Sequence, residues 1–136
     1  MRLGSLEAGG TKMVMGVLDE EGQILKQASC ATRLPEETMA DILAFVEGER
    51  LDAMGIASFG PVDLNHQSPT YGYITHTPKL AWRGFPLLGT IRDALNVPCG
   101  MDTDVNGAVL AEATMGAAKG LKNAVYFTVG TGIGGG

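Results

Sequence analysis

The chain has 136 residues, 45% hydrophobic and 18% charged, with a formal net charge of −5. That length and balance suffice for one domain's core and exclude a disordered chain, while the acidic charge argues against nucleic acid as a main partner. No apolar run approaches the ~18 residues of a membrane span, and no signal-like segment follows Met1, so no membrane partner and a cytoplasmic location are expected.

Glycine is the compositional outlier, 20 of 136 residues against a usual share of ~7%. The glycines cluster between apolar runs, which predicts many tight turns. Cys30 and Cys99 form no CxxC pair and lie in strand-like contexts, so both read as inert core thiols of a reducing compartment.

Residues 2–8, 12–19 and 22–31 read as three strands, joined by turns at Gly9-Gly10 and Glu20-Glu21-Gly22. Gly-Gly between strands tolerates positive φ and leaves backbone N–H groups unshielded. With the Thr11 hydroxyl and the Lys12 ammonium beside it, this turn is a candidate phosphate cradle. A structural hairpin with Lys12 in solvent explains the same residues. Glu7, at the end of the first strand, favours the ligand reading, because Mg²⁺ keeps several waters and needs few carboxylates.

Pro35, Glu36 and Glu37 suit the first turn of a helix. Met39, Ile42, Leu43, Phe45 and Val46 continue it at helical spacing until Gly48. Residues 51–59 form a short apolar strand stopped by Gly60-Pro61. From 62 to 85 there is little periodicity, and a loop of that length is either functional or misassigned. Trp82, Tyr71 and Tyr73 either close one side of a sugar site or pack in the core. His66 and His76 have no metal partner at ligand spacing.

A helix over 86–95, a strand over 97–101, a helix over 105–118 and a strand over 124–129 follow. The predicted class is α/β with a mixed sheet, opening with an antiparallel three-strand meander rather than a βαβ unit. Asp102-Thr103-Asp104-Val105-Asn106-Gly107 lies between strand and helix, where Asp and Thr are good caps. One acid suffices for a cap; Asp104 at the helix start also fits a general base taking a proton from an attacking hydroxyl. Asn106 fits two roles, a hydrogen bond to substrate or a cap of the turn. Residues 130–136, Gly-Thr-Gly-Ile-Gly-Gly-Gly, match G-x-G-x-x-G after a strand. The antiparallel start and the late position disfavour a dinucleotide fold, and a hairpin turn cradling the γ-phosphate fits better. Gly134-Gly135-Gly136 reads as a loop with more chain to follow.

These elements closely resemble the ROK family of bacterial sugar kinases, and within it the fructokinase branch. The resemblance is carried by residues 7–12, by Ser58-Phe59-Gly60-Pro61-Val62-Asp63-Leu64, by residues 68–75, by Thr77-Pro78-Lys79-Leu80-Ala81-Trp82, by residues 102–107 and by residues 130–136. Glu7 stands where most members carry Asp, as in the fructokinase branch, and Thr103 where many glucokinases carry Asn. The resemblance implies an actin-like, RNase H-like ATPase fold with two lobes and a cleft. Residues 1–118 would form the first lobe, with the sugar loop and the base, and residues 119–136 would begin a truncated nucleotide lobe.

It further implies ATP and a hexose as ligands, Mg²⁺ with the nucleotide, and Asp104 as catalytic base. Gly9, Gly10, Thr11, Lys12, Gly130, Thr131 and Gly132 would hold phosphates. Gly60, Pro61, Thr103, Asp104 and Asn106 would meet the sugar, and Glu7 would hold Mg²⁺ through water. The family's later sugar contacts and its Zn²⁺ site have no counterpart in these residues. The expected activity is phosphorylation of D-fructose by ATP, in a protein about twice this length that forms a homodimer, with the 136-residue segment alone inactive. The rivals are a glucokinase or other hexose or N-acylhexosamine kinase, a sugar-sensing regulator of the same family, and a motion-driving ATPase on the same fold.

Overall fold

A computed structural model of the chain describes residues 1–130 and 132–136. Its opening meander is the one the sequence predicts: β1 (Arg2–Ala8), β2 (Lys12–Asp19) and β3 (Ile24–Ala31) pair antiparallel in succession. Period-two alternation buries Leu6, Ala8, Met13, Met15 and Val17 on one face and turns Ser5 and Glu7 to the other. The third strand starts two residues later than expected. The Asp19 carboxylate accepts the N–H groups of Glu21 (3.0 Å) and Gln23 (2.8 Å), which extends the turn to residue 23.

Pro35 opens α1 (Pro35–Val46), which buries Met39, Ile42 and Val46. The chain returns as β4 (Ala53–Ser58), parallel to β1. After the long loop, α2 (Leu87–Leu95) buries Leu87, Leu88 and Ile91 and ends on Asn96, which takes the left-handed conformation (φ 53°) that asparagine tolerates. β5 (Cys99–Thr103) then pairs parallel with β4, giving the sheet order β3-β2-β1-β4-β5. Both helices and the inner sheet face form one apolar cluster. Each fully buried leucine or isoleucine there contributes about 1.5–3 kcal/mol.

α3 (Asp104–Met115) takes the opposite sheet face but buries no residue fully. It approaches closely only because Gly107 lacks a side chain: a Cβ there would stand 2.8 Å from the Ala57 Cβ. The final strand is shorter than the expected 124–129. β6 (Phe127–Val129) pairs antiparallel with β7 (Ile133–Gly135) in a separate two-stranded ladder.

The stretch from 62 to 85 is ordered by long-range bridges, Val62 with Ile74 and Ile74 with Phe85, and by a 3₁₀ turn at Leu80–Trp82. Of the two readings of Trp82, core packing is the one realised. Its side chain is 1% exposed, donates Nε1–H to the Arg33 carbonyl at 2.9 Å, and meets the Phe59 and Phe85 rings edge-on. Cys30 and Cys99 are half-buried, and burial pushes both thiols up, away from the reactive thiolate. Among the described residues, no helix is long and apolar enough to cross a membrane.

Candidate active site

Ala8 pairs with Ser58, and Ser58 with Thr103, so three adjacent strands end on one row of the sheet. The chain therefore leaves the sheet at one edge three times: into the Gly9-Gly10 turn, into Gly60-Pro61, and into Asp104. Strands lie ~4.8 Å apart, so the first turn and Asp104 are separated by about 10 Å across the sheet. The crevice outside the carboxyl ends of parallel strands is where open α/β sheets place ligands. A hydrogen bond from Phe59 N–H to the Ala8 carbonyl (2.7 Å) ties the ends of β1 and β4 one step further.

The first turn is closed by Gly9 N–H on the Lys12 carbonyl at 3.0 Å. A Cβ on Gly9 would lie 2.5 Å from that carbonyl oxygen, so the turn requires glycine there. Two more of its carbonyls are gripped by Thr32, the residue after β3: the Thr32 hydroxyl donates to Gly9 O (2.7 Å) and Thr32 N–H to Thr11 O (2.9 Å). The turn is thus held by its carbonyls, while the Thr11 and Lys12 side chains stand exposed.

At the third strand end, Thr103 is the N-cap of α3, its hydroxyl accepting Asn106 N–H at 3.1 Å. The Asp102 carboxylate accepts Thr103 N–H (2.7 Å) and the Asn106 side-chain amide (2.8 Å). Asn106 thus shows the capping interaction. Asp104 accepts its own helix's Val105 N–H at 2.9 Å and is half-buried at the positive end of α3. Capping by Thr103 and Asp102 leaves Asp104 free of a structural task beyond that one contact.

Glu7, Ala57 and Asp102 occupy the next row inward, on the face shared with α3. Both carboxylates line an apolar-walled groove of about 590 Å³, together with Gly55, Gly100 and Gly107. Among the described residues Glu7 forms no ion pair. No group of three or more His, Cys, Asp or Glu among them is placed to hold a metal directly. An exposed, unpaired carboxylate of this kind suits a hydrated cation such as Mg²⁺, which keeps its waters.

The second glycine element is a hairpin. Tyr126 and Gly136 exchange two backbone hydrogen bonds of 2.9 Å, and Gly130 N–H reaches the Gly132 carbonyl at 2.8 Å. Its return strand lies against the start of α3, where a Cβ on Gly136 would meet the Val105 backbone at 2.6 Å. A strand follows the glycine turn, as a hairpin cradle requires, and not the helix of a dinucleotide fingerprint. Gly130 and Gly132 stand at the open tip, and Thr131 lies outside the described residues.

Tyr71 and Tyr73 line a separate polar groove with His66, Thr90 and Arg92, sharing no wall with the groove of Glu7 and Asp102. His66 stacks on Tyr71 at 4.3 Å between ring centroids. Two residues named in sequence motifs but given no ligand-binding role of their own stand at the site: Asp102, which strand alternation sets on the groove face, and Lys79, whose side chain lies over Gly10. No periodicity in the loop marks Lys79.

The family model of the ROK family matches residues 3–136. A fructokinase of Lactococcus lactis subsp. cremoris is 47% identical over 133 residues, covering 98% of this chain and 45% of that protein. A glucokinase of Streptomyces coelicolor is 36% identical over 136 residues, covering 96% of this chain and 41% of that protein. The crystal structure of a ROK family glucokinase from Streptomyces griseus, in complex with glucose and AMPPNP, superposes with a TM-score of 0.82 at 32% identity, over 99% of this chain and 43% of that one. The chain thus spans less than half the length of each of these three relatives.

Proposed function

Because this chain belongs to the ROK family, whose sugar-kinase structures have an actin-like ATPase fold, we propose that it supplies the base and the first phosphate turn of an ATP-dependent sugar kinase. D-fructose is the proposed acceptor. The observation that carries this reading is the shared row of Ala8, Ser58 and Thr103, which delivers a glycine turn and a helix-start carboxylate to one edge. Similarity to fructokinases at 47% identity favours fructose.

In the proposed reaction the Asp104 carboxylate takes the proton of the sugar 6-hydroxyl as that oxygen bonds to the γ-phosphorus. The bond from phosphorus to the bridging oxygen of ADP breaks, releasing ADP and fructose 6-phosphate. Gly9, whose N–H closes the turn on the Lys12 carbonyl, shapes the cradle in which Gly10, Thr11 and Lys12 donate to phosphate oxygens; Gly130 to Gly132 close it from the second lobe, and Gly60, Pro61, Thr103 and Asn106 orient the sugar. Magnesium supplies charge neutralisation when bound with the nucleotide, and Glu7 is the residue that would hold its water shell.

Residues 1–118 are proposed as the first lobe and residues 119–136 as the start of the second. The whole protein is proposed to be a cytoplasmic homodimer, and the 136-residue segment alone to be inactive, since in-line positioning between lobes is worth roughly 7–11 kcal/mol. The 36% identical glucokinase makes glucose the second candidate acceptor. Sugar-dependent ADP release by the full-length protein, measured across fructose, glucose, mannose and N-acylhexosamines, tests both readings. Turnover with no sugar would reject them together.

A further inference from the structure

We propose that Lys79 is a second cation of the first phosphate turn, holding the terminal phosphate of the phosphoryl donor opposite Lys12. The inference rests on the kinase reading above and adds a residue from a different part of the fold. The Lys79 Cε stands 3.5 Å from the point a Gly10 Cβ would occupy, so its stem lies directly over the turn. A Cβ at position 10 would meet that stem in ordinary van der Waals contact.

The backbone of Lys79 is held at the start of the 3₁₀ turn that carries Trp82. Its carbonyl accepts Trp82 N–H at 2.9 Å, and its N–H lies 3.3 Å from the hydroxyl of Thr77, which is 1% exposed. Trp82 in turn donates to the Arg33 carbonyl, and the neighbouring Thr32 grips the Gly9 and Thr11 carbonyls. Loop and turn are thereby linked through the buried Trp82 and the adjacent Thr32 and Arg33.

Charge is compatible with this role: Lys12 and Lys79, like Arg50, Arg83, Lys119 and Lys122, have no ion-pair partner among the described residues. An anion bound at the turn would gain charge-assisted hydrogen bonds from both ammonium groups. The turn shares its edge with Asp104, so the phosphate held there is the one that meets the acceptor hydroxyl. That is the terminal phosphate, which ATP carries and ADP lacks.

The test uses full-length protein carrying Lys79→Met and, separately, Lys79→Arg. Lys79→Met should lower kcat/KM for ATP about 10- to 100-fold, the effect of losing one hydrogen bond to a charged group. ADP binding by calorimetry and KM for the sugar should stay within about threefold of the parent. Lys79→Arg should recover most of the loss. A Lys79→Met protein with parental kcat/KM for ATP, or one that loses ATP and ADP binding equally, would overturn the inference while leaving the kinase reading standing. A parent protein that releases no ADP with any sugar would instead remove the kinase reading, and this inference with it. Misfolding would reveal itself as loss of ADP and sugar binding together, and Lys79→Arg then decides: full parental ATP selectivity over ADP supports the phosphate role, and its loss overturns it.

Discussion

Glu7 and Asp102 face the same groove from strands β1 and β5, each directly opposite Ala57 on the strand between them. Two strand spacings, about 10 Å, separate their backbones, so their mutual repulsion is largely screened at ordinary salt. Their tasks differ. Asp102 is committed to the start of α3 through Thr103 and Asn106, while Glu7 has no ion-pair partner among the described residues.

Glu7→Gln should therefore weaken the dependence on magnesium without touching the sugar. Loss of a carboxylate acting on a metal through its waters costs about 10- to 100-fold in metal affinity. Titration of activity with Mg²⁺ should show the half-saturating concentration rising by that factor, with KM for the sugar unchanged. An unaltered Mg²⁺ curve would remove Glu7 from the site.

Gly9→Ala tests the turn itself. The added Cβ would sit 2.5 Å from the Lys12 carbonyl oxygen, closer than real Cβ atoms come. That oxygen is backbone and accepts Gly9 N–H, so relief requires the turn to open. Affinity for ATP should fall at least tenfold, about 1.4 kcal/mol, while sugar affinity is kept. Equal loss for both ligands would assign the turn to structure alone.

Asp63 offers a pH test of the long loop. It accepts hydrogen bonds from the hydroxyls of Ser68 and Thr70 and from Asn65 N–H, and these hold its carboxyl below the ordinary 3.8. Since the folded value lies below the unfolded one, this contribution to loop stability is fully present above the ordinary carboxylate range. It is lost as pH falls through the lower folded value. The side-chain carboxyl shift followed by NMR should titrate with a midpoint below 3.8; a midpoint at or above it would contradict the three-donor arrangement.

Much of this fold was readable along the chain because its signals are local. Period-two alternation placed the meander, Pro35 and Gly48 bounded α1, and the two glycine turns stood out by composition. Trp82 was ambiguous because its fate depends on Arg33 and Phe59, distant in sequence, and on no local pattern. The same holds for Lys79, whose place over Gly10 is a contact between residues distant in sequence that leaves no periodic trace. The last strand was overdrawn because an apolar run extends beyond its ladder. Pairing is limited by the short Ile133–Gly135 partner, and apolar residues such as Val125 remain exposed.

The central claim is that Asp104 is the base of a sugar kinase, and the most direct measurement is sugar-dependent ADP release by full-length protein and its Asp104→Asn variant, with sugar and ATP affinities measured alongside. The account predicts that the parent turns over with a hexose, fructose best. In the variant kcat should fall by about 10²–10⁴ while both affinities stay within a few-fold. A variant with near-parental kcat, or a parent whose ADP release is independent of sugar, would contradict it.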